Sequence, residues 1–489
     1  MATLLLPSFF MLHSGGKYLS LTENNPPTAN LPSGILKFDE QTWTSPRTKF
    51  AAEPAAGGLY HIRSVYNNKY LVIIGSSNSW IVASAKKPEE DTSKGASCTL
   101  FEPYSLPNDD QTTITATVRL RHVGTGISAT LSPGPADDDD DDDHGVLLLS
   151  SSTSTTGSSF ILRDSETALV LPSRVAFRSQ DINNGDNYLG SIWLYGKFMY
   201  QQFRSGLDIG DPRVSKELLP INNEVNYYHI MDLYNGRLWT RADGWIRADV
   251  DDPSLSDSFS FVQIKDNVFA LRSYGGVNQY FCGPYTEDAS VNCLNAAYPS
   301  ISKETRLVIE EAVLEREIKD VEYRIGDSRV YDEQPVEVDH EYGTNNLPTD
   351  TSMTLEFTTT DSRTTSWNNS VSVQLGVKVT FETTYVPFIA KSTVELSAEF
   401  GYTHEWGGEV TTQHERKSSY TVTVSPMKTV KVTMLATTGK CDVPFSYTQR
   451  DLLPSGEWVE TRKDDGIFKG LNSYDIHYKS EEVDPDDQE

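Results

Sequence analysis

In the stretch Val371 to Thr383 apolar and polar residues alternate without a break as far as Glu382. Val371, Val373, Leu375, Val377, Val379 and Phe381 share one face, while Ser372, Gln374, Gly376, Lys378, Thr380 and Glu382 share the other. A second run repeats the pattern, with Val394, Leu396, Ala398, Phe400 and Tyr402 set against Glu395, Ser397, Glu399 and Gly401. Period two marks a strand with one apolar face. Between the runs, "TYVPFIAK" (384–391) reads as an apolar tip, so the pattern predicts one long hairpin. Either run approaches or exceeds the roughly 9–11 residues that a tilted strand needs to cross a bilayer. An ordinary half-buried hairpin alternates too, and the pattern alone leaves both readings open.

The amino-terminal half is patterned by repetition. "ATLLLPSFFMLHS" (2–14) returns as "TALVLPSRVAFRS" (167–179), with Leu-Pro-Ser in register. "GLYHIRSVYNNKYLVI" (58–73) returns as "NYYHIMDLYNGRLWT" (226–240), and "SNSWIVASAKKPEE" (77–90) as "ADGWIRADVDDPS" (242–254). "CTLFEPYS" (98–105) is matched by "FSFVQIK" (259–265). Two related domains therefore start about 165 residues apart, each with a smaller period of roughly 40–60 residues inside it. Each small unit is a strand, a Gly/Asn turn and another strand, which suits hairpins because Asn and Gly accept positive φ. Three hairpin units per domain predict a β-trefoil, with an irregular β-sandwich as the alternative. Residues 1–165 and 166–313 are the two predicted domains, residues 314–480 a third, Thr/Ser/Val-rich one, and 481–489 an acidic tail.

The repeat also bears on the apolar start of the chain. Met1–Gly15 is about as apolar as an export signal, but its copy lies inside the chain and no basic residue precedes Lys17. It is expected to be a first strand, with the protein cytoplasmic at rest and acting at a target membrane after release. Composition narrows the partners. With 69 acidic against 42 basic residues and a formal charge of −27, the chain shows no cationic stripe for nucleic acid. The four cysteines are too scattered for a disulfide framework or a zinc site and are expected to be free thiols. The run Asp137–Asp143 lacks the spacing of a calcium loop and reads as a solvated segment. No catalytic motif or cofactor fingerprint emerges, so neither an enzyme nor a cofactor is expected, and no metal.

The repeated motifs Asn67-Asn68-Lys69-Tyr70, Trp80-Ile81-Val82-Ala83 and Trp245-Ile246-Arg247-Ala248 with Asp251-Asp252-Pro253 resemble the amaranthin-type plant lectins. The stretches 367–407 and 464–479 are similar to the aerolysin-type β-pore-forming proteins. Together the resemblances imply an all-β chain of two tandem trefoils followed by an elongated aerolysin-like sheet. They imply a homo-oligomer that binds galactose- or N-acetylgalactosamine-containing glycans and inserts a transmembrane barrel in defence.

Sugar sites combine an aromatic platform with amide and carboxylate groups. On that basis Asn78, Ser79 and Trp80 are candidates in the first domain and Asp243, Gly244 and Trp245 in the second, although either Trp would serve equally as core. In a barrel the apolar faces named above would meet lipid, and Lys378, Glu382, Glu395 and Glu399 would line the lumen. Their excess of acid predicts mild cation selectivity. Two other readings compete: a multivalent lectin whose third domain only oligomerises, and a glycosidase.

Overall fold

The computed structural model describes the chain apart from residues 1, 23–31, 76–78, 106–115, 133–144, 151–157, 181–186, 370–378, 399–402 and 484–489. Its regular structure is antiparallel strand, with short 3-10 turns between strands. No helix among the described residues is long and apolar enough to cross a membrane. The described residues divide into two compact units: one of residues up to Arg316 with Arg450–Glu460, the other of Glu317–Asn369, residues 379–449 and those from Thr461 onward.

The first unit holds two lobes. A 13-stranded network runs from Ala2–Thr3 to Phe160–Asp164, and a 12-stranded one from Arg174–Ser179 to Arg306–Glu311. In each, an early strand closes on the last. Phe9–Ser14 pairs with Phe160–Asp164 (Phe10 opposite Asp164), and Arg174–Ser179 pairs with Arg306–Glu311 (Val175 opposite Glu311). Closure leaves few free edges, which are otherwise aggregation hazards. Phe10, Leu12, Ile62, Leu71, Ile81, Phe101 and Phe160 centre the first core. Phe177, Ile230, Trp239, Ile246, Phe259 and Ile309 centre the second, which also takes Met11, Tyr18 and Trp43 from the first lobe.

The segments aligned by the sequence repeat fold into equivalent strands. Tyr60–Ser64, Tyr70–Ile74 and Ser79–Ala85 in the first lobe match Tyr227–Asp232, Arg237–Ala242 and Trp245–Val250 in the second. The turns are held by the same device. Asn67 Nδ2 donates to Ala83 O at 3.0 Å while Asn67 Oδ1 accepts from Lys69 N at 3.1 Å. Asn235 Nδ2 donates to Ala248 O at 2.9 Å while its Oδ1 accepts from Arg237 N at 3.0 Å. The next position needs positive φ, met by Asn68 (56°) in one lobe and Gly236 (72°) in the other.

The second unit is built on long strands. Thr351–Asn368 pairs with Glu409–Val424 in unbroken register, from Thr351 opposite Val424 to Ser366 opposite Glu409. Beside them lie Thr429–Leu452 and Trp458–Val483, with Arg329–Thr344 along the former. Phe357, Val424, Val430, Val432 and Met434 form a core on this sheet. The last strand continues to Val483, three residues into the span assigned above to an acidic tail. Glu482 explains the difference, because its carboxylate accepts from Ser425 Oγ at 3.1 Å and lies 3.7 Å from Lys428 Nζ.

Between Asn368 and Glu409 the chain forms two short antiparallel pairs. Thr380–Glu382 pairs with Thr403–Glu405, and Val386–Ala390 pairs with Thr393–Ser397. The predicted hairpin is therefore corrected in its tip. Residues 386–390 are strand, and the reversal occurs at Lys391-Ser392, both at positive φ (50° and 64°). That is the two-residue turn whose twist matches flanking strands. Thr393 Oγ1 closes it by donating to Ala390 O at 2.9 Å.

Candidate functional site

Two regions carry candidate chemistry. The first is an aromatic surface on the second lobe. The turn Asp243-Gly244 reverses the chain between Ala242 and Trp245, with both residues at positive φ (51° and 89°). Asn295 packs against this turn so closely that a Cβ on Gly244 would lie 2.7 Å from its Oδ1, and the φ of 89° favours glycine as well. Asp243 is exposed and Trp245 half-buried. The Trp245 ring lies 5.9 Å from Tyr200 and 5.8 Å from Tyr285, and Tyr195 lies 6.0 Å from Tyr200. Tyr195 and Tyr285 are 58% and 41% exposed, so this cluster opens to solvent.

A charged pair borders it. Arg247 stacks its guanidinium 4.2 Å from the Phe198 ring centre and sits 3.1 Å from Asp249 Oδ2, whose other oxygen accepts from Met199 N at 3.1 Å. Aromatic faces beside a fixed carboxylate and a guanidinium match the chemistry of sugar recognition, in which C–H faces stack and hydroxyls hydrogen-bond.

The equivalent tryptophan of the first lobe is placed otherwise. Trp80 is 7% exposed and packs with Ile35, Val72, Val82 and Val146, because Leu148 pairs directly opposite it. Its faces are spent on the core, so in this structure Trp80 offers no platform, which corrects its candidacy. Ser79 opens the same strand and is half-buried, and Asn78 lies outside the described residues. Tyr195, Phe198, Tyr200 and Tyr285 are not singled out by the sequence, and Arg247 enters there only within the motif Trp245–Ala248, not as a site residue. They come from three separate hairpins, and their only local signals were the turns "YGK" (195–197) and "ADG" (242–244).

The second region is the hairpin of the second unit. Val379 and Phe381 are buried while Thr380 and Glu382 are exposed, following the alternation of the sequence. Phe381 and His404, one from each strand of the basal pair, pack on Trp367 at 5.6 and 4.1 Å. Trp406 continues the stack to Phe381 (5.6 Å) and Tyr447 (4.7 Å). Trp367 Nε1 donates to Tyr323 Oη at 2.9 Å, and burial pushes the Tyr323 phenol up to about 12.

Nearer the tip, Val386, Ile389 and Val394 are buried, whereas Glu395, Leu396 and Ala398 are exposed, Leu396 to 42%. Leu396 and Ala398 thus depart from the burial of Val394; among the described residues the strand Thr393–Ser397, which ends before Ala398, pairs with Val386–Ala390. The strand Val386–Ala390 is completed on its other side by a side chain. Buried Asn472 accepts from Ile389 N at 2.9 Å and donates to Ile389 O at 3.0 Å. One amide thus substitutes for a neighbouring strand. Val371, Val373, Leu375, Val377, Lys378, Glu399, Phe400 and Tyr402 lie outside the described residues, as does the aspartate run Asp137–Asp143.

Other chemistry is sparse. Cys98, Cys282, Cys293 and Cys441 are free and buried. No group of three or more His, Cys, Asp or Glu side chains suited to a metal occurs among the described residues.

No curated protein sequence matches the chain significantly. Among solved structures, the chain is similar to the lamprey immune protein, at 13% identity and a TM-score of 0.28, over 65% of this chain and 92% of that one. It is similar to an aerolysin-like protein from Bombina maxima, at 12% identity and a TM-score of 0.25, over 34% of this chain and 99% of that one. It is also similar to the designed threefold-symmetric protein ThreeFoil, at 10% identity and a TM-score of 0.22, over 28% of this chain and 96% of that one. Residues 5–127 match the family model of the Agglutinin domain.

Proposed function

We propose that this protein is a carbohydrate-binding lectin that gathers on glycosylated surfaces and, as a homo-oligomer, pools its hairpins into a transmembrane β-barrel. The observation that carries this reading is the way the hairpin is held. Its apolar side packs on the parent sheet through an aromatic stack, and one side-chain amide replaces strand pairing at Ile389. Such a clasp is a few hydrogen bonds, each worth ~1 kcal/mol net, rather than a full ladder. Release exchanges it for inter-strand pairing in a closed barrel, the arrangement in which lipid tolerates strands.

The two lobes act as tandem trefoils, a reading supported by their internal repeat and by the pairing of an early strand with the last in each. Galactose- or N-acetylgalactosamine-containing glycans dock on the platform around Trp245, with Arg247 and Asp249 supplying hydrogen bonds. Glu382 and Glu395, exposed in the soluble state, turn to the lumen and favour cations. The resting protein is cytoplasmic and meets its target when cells are breached; a secreted pool in intact tissue would refute this. It performs no catalysis.

Dye release from vesicles bearing an N-acetylgalactosamine glycolipid tests the whole reading. Leakage that requires the glycolipid and is competed by free sugar is the expected result. Sugar-dependent binding without leakage would leave a multivalent lectin, whose gain comes from effective concentration alone.

A further inference from the structure

The buried carboxamides among the described residues are Asn67, Asn68, Gln201, Asn295, Asn345 and Asn472. Asn67 and Asn472 hold backbone atoms as described above. Asn68 accepts from Arg63 Nη1 at 2.8 Å, Gln201 donates to Asp232 at 2.8 Å, and Asn345 donates to Val424 O at 2.9 Å. Asn295, only 5% exposed, has no such partner among the described residues. Buried polar groups are ordinarily hydrogen-bonded, so an exception calls for a reason. Its place in the fold supplies one. Asn295 lies directly opposite Trp245, so the two side chains share a face of the sheet. The turn above it is tied down by Ala296 N, which donates to Gly244 O at 2.8 Å. A Cβ on Gly244 would meet both amide atoms, Oδ1 at 2.7 Å and Nδ2 at 3.3 Å, so glycine leaves hydrogen alone over the carboxamide. The first lobe shows the apolar alternative. There Leu148 lies opposite Trp80, and that tryptophan is core. The second lobe sets a carboxamide in the same place, beside the tryptophan that belongs to the open aromatic cluster.

We propose that Asn295 is the specificity-determining residue of the Trp245 platform and reads a vicinal diol of the sugar stacked there. One hydroxyl donates to Oδ1 and its neighbour accepts from Nδ2. This rests on the glycan binding proposed above. A carboxamide carries an acceptor and a donor side by side, which matches two adjacent hydroxyls of a pyranose whose C–H face lies on an aromatic ring. A site built on such groups rejects a sugar that lacks one of the hydroxyls, because the amide is then left unpaired. The class of ligand is thus a terminal sugar with two free adjacent hydroxyls.

Titration calorimetry on the full chain with methyl N-acetylgalactosaminide and its 4-deoxy analogue tests this, since the hydroxyls at carbons 3 and 4 are the parent's one vicinal diol. The native chain should bind the parent about tenfold more tightly than the analogue, the equivalent of ~1.4 kcal/mol. Asn295→Leu, which copies the first lobe, should bind both sugars equally and at the level that the native chain shows for the analogue. Asn295→Ala should lose the preference in the same way, and it serves where leucine disturbs the fold. A preference that persists in these variants, or a native chain that binds the two sugars alike, overturns the proposal. Trp245→Ala separates the two readings. Parent binding that survives Trp245→Ala, or no saturable binding to the native chain, overturns the platform and the diol contact together. Binding lost in Trp245→Ala with the preference intact in Asn295→Leu overturns the diol contact alone.

Discussion

Phe50 and Lys216 occupy the same place in two related lobes. Phe50 lies opposite both Phe10 and Ser64, and Lys216 lies opposite both Val175 and Asp232. All four of Phe50, Ser64, Lys216 and Asp232 are essentially excluded from solvent. The first lobe fills the position with a ring, whereas the second buries a lysine 3.5 Å from an aspartate. Gln201 Nε2 donates to that aspartate at 2.8 Å, Ser191 Oγ donates to it as well, and Lys216 Nζ donates to Arg213 O at 2.6 Å. Burial pulls the Lys216 ammonium below the usual lysine range, against the opposing pull of Asp232. The same backbone thus tolerates an oily or an ionic solution, provided that the ionic one is fully hydrogen-bonded. The two tryptophans differ likewise: Trp80 is core under Leu148, and Trp245 belongs to an open aromatic cluster. What the lobes hold in common is the backbone device at Asn67 and Asn235, while equivalent side chains diverge.

The largest effect should come from breaking the ionic solution. Asp232→Ala leaves a buried ammonium without its partner and should cost ~3–5 kcal/mol in denaturant unfolding. The double change Lys216→Phe with Asp232→Ser copies the first lobe and should recover most of that loss. If the double variant unfolds as readily as the single one, the lobes are not interchangeable at this position. Next come the tryptophans. Trp80→Ala should cost ~3–5 kcal/mol as a core truncation, with glycan affinity of the folded fraction retained. Trp245→Ala should cost less stability, ~1–2 kcal/mol, yet abolish glycan binding on an array. The reverse pattern would move the platform to the first lobe.

Asn67→Ala and Asn235→Ala each remove the same two hydrogen bonds, so each should destabilise its lobe by a similar ~1–3 kcal/mol. Unequal losses would mean that the shared geometry hides unequal roles. The smallest effect is acid sensitivity. His122 lies opposite Phe101, as Ser273 lies opposite Phe259. Burial holds the His122 imidazole below its ordinary range, and one ring nitrogen faces Cys98 O at 2.8 Å. Below about pH 6.5 the unfolded chain takes up a proton that the folded lobe resists, so stability is lost as pH falls through that value. Above it His122 is neutral in both states and the contribution is complete. Unfolding followed from pH 7.5 to 5 should show this loss in the native chain and a flatter profile in His122→Ser.

Much of this was legible because it is local. The turns at Asn67-Asn68 and Asn235-Gly236 are written in residues that accept positive φ, and Tyr-His-Ile at 60–62 recurs at 228–230 in the strand before each turn. The alternation at Val379–Glu382 appears directly as burial and exposure. The hairpin reversal was not legible, since neither Lys391 nor Ser392 is a customary residue at positive φ and an apolar run does not reveal its register. Nor was the fate of Trp80, which Leu148 decides from a distant strand. The platform around Trp245 gathers Tyr195 and Tyr200 from one hairpin and Tyr285 from another, and only tertiary pairing brings them to Trp245. A charge in a strand reads as solvent-facing, so the burial of Lys216 required the fold to be seen.

The most direct test of the account follows the hairpin itself. Leu396 and Glu395 are neighbours and both exposed in the soluble state, so each accepts a cysteine carrying an environment-sensitive dye. On vesicles with the glycolipid, a label at 396 should shift to the blue and be quenched by lipid-borne nitroxide. A label at 395 should stay accessible to aqueous iodide, as a lumen-facing position must. If both labels remain in water while the protein is bound, the hairpin does not enter the bilayer and the pore-forming reading fails.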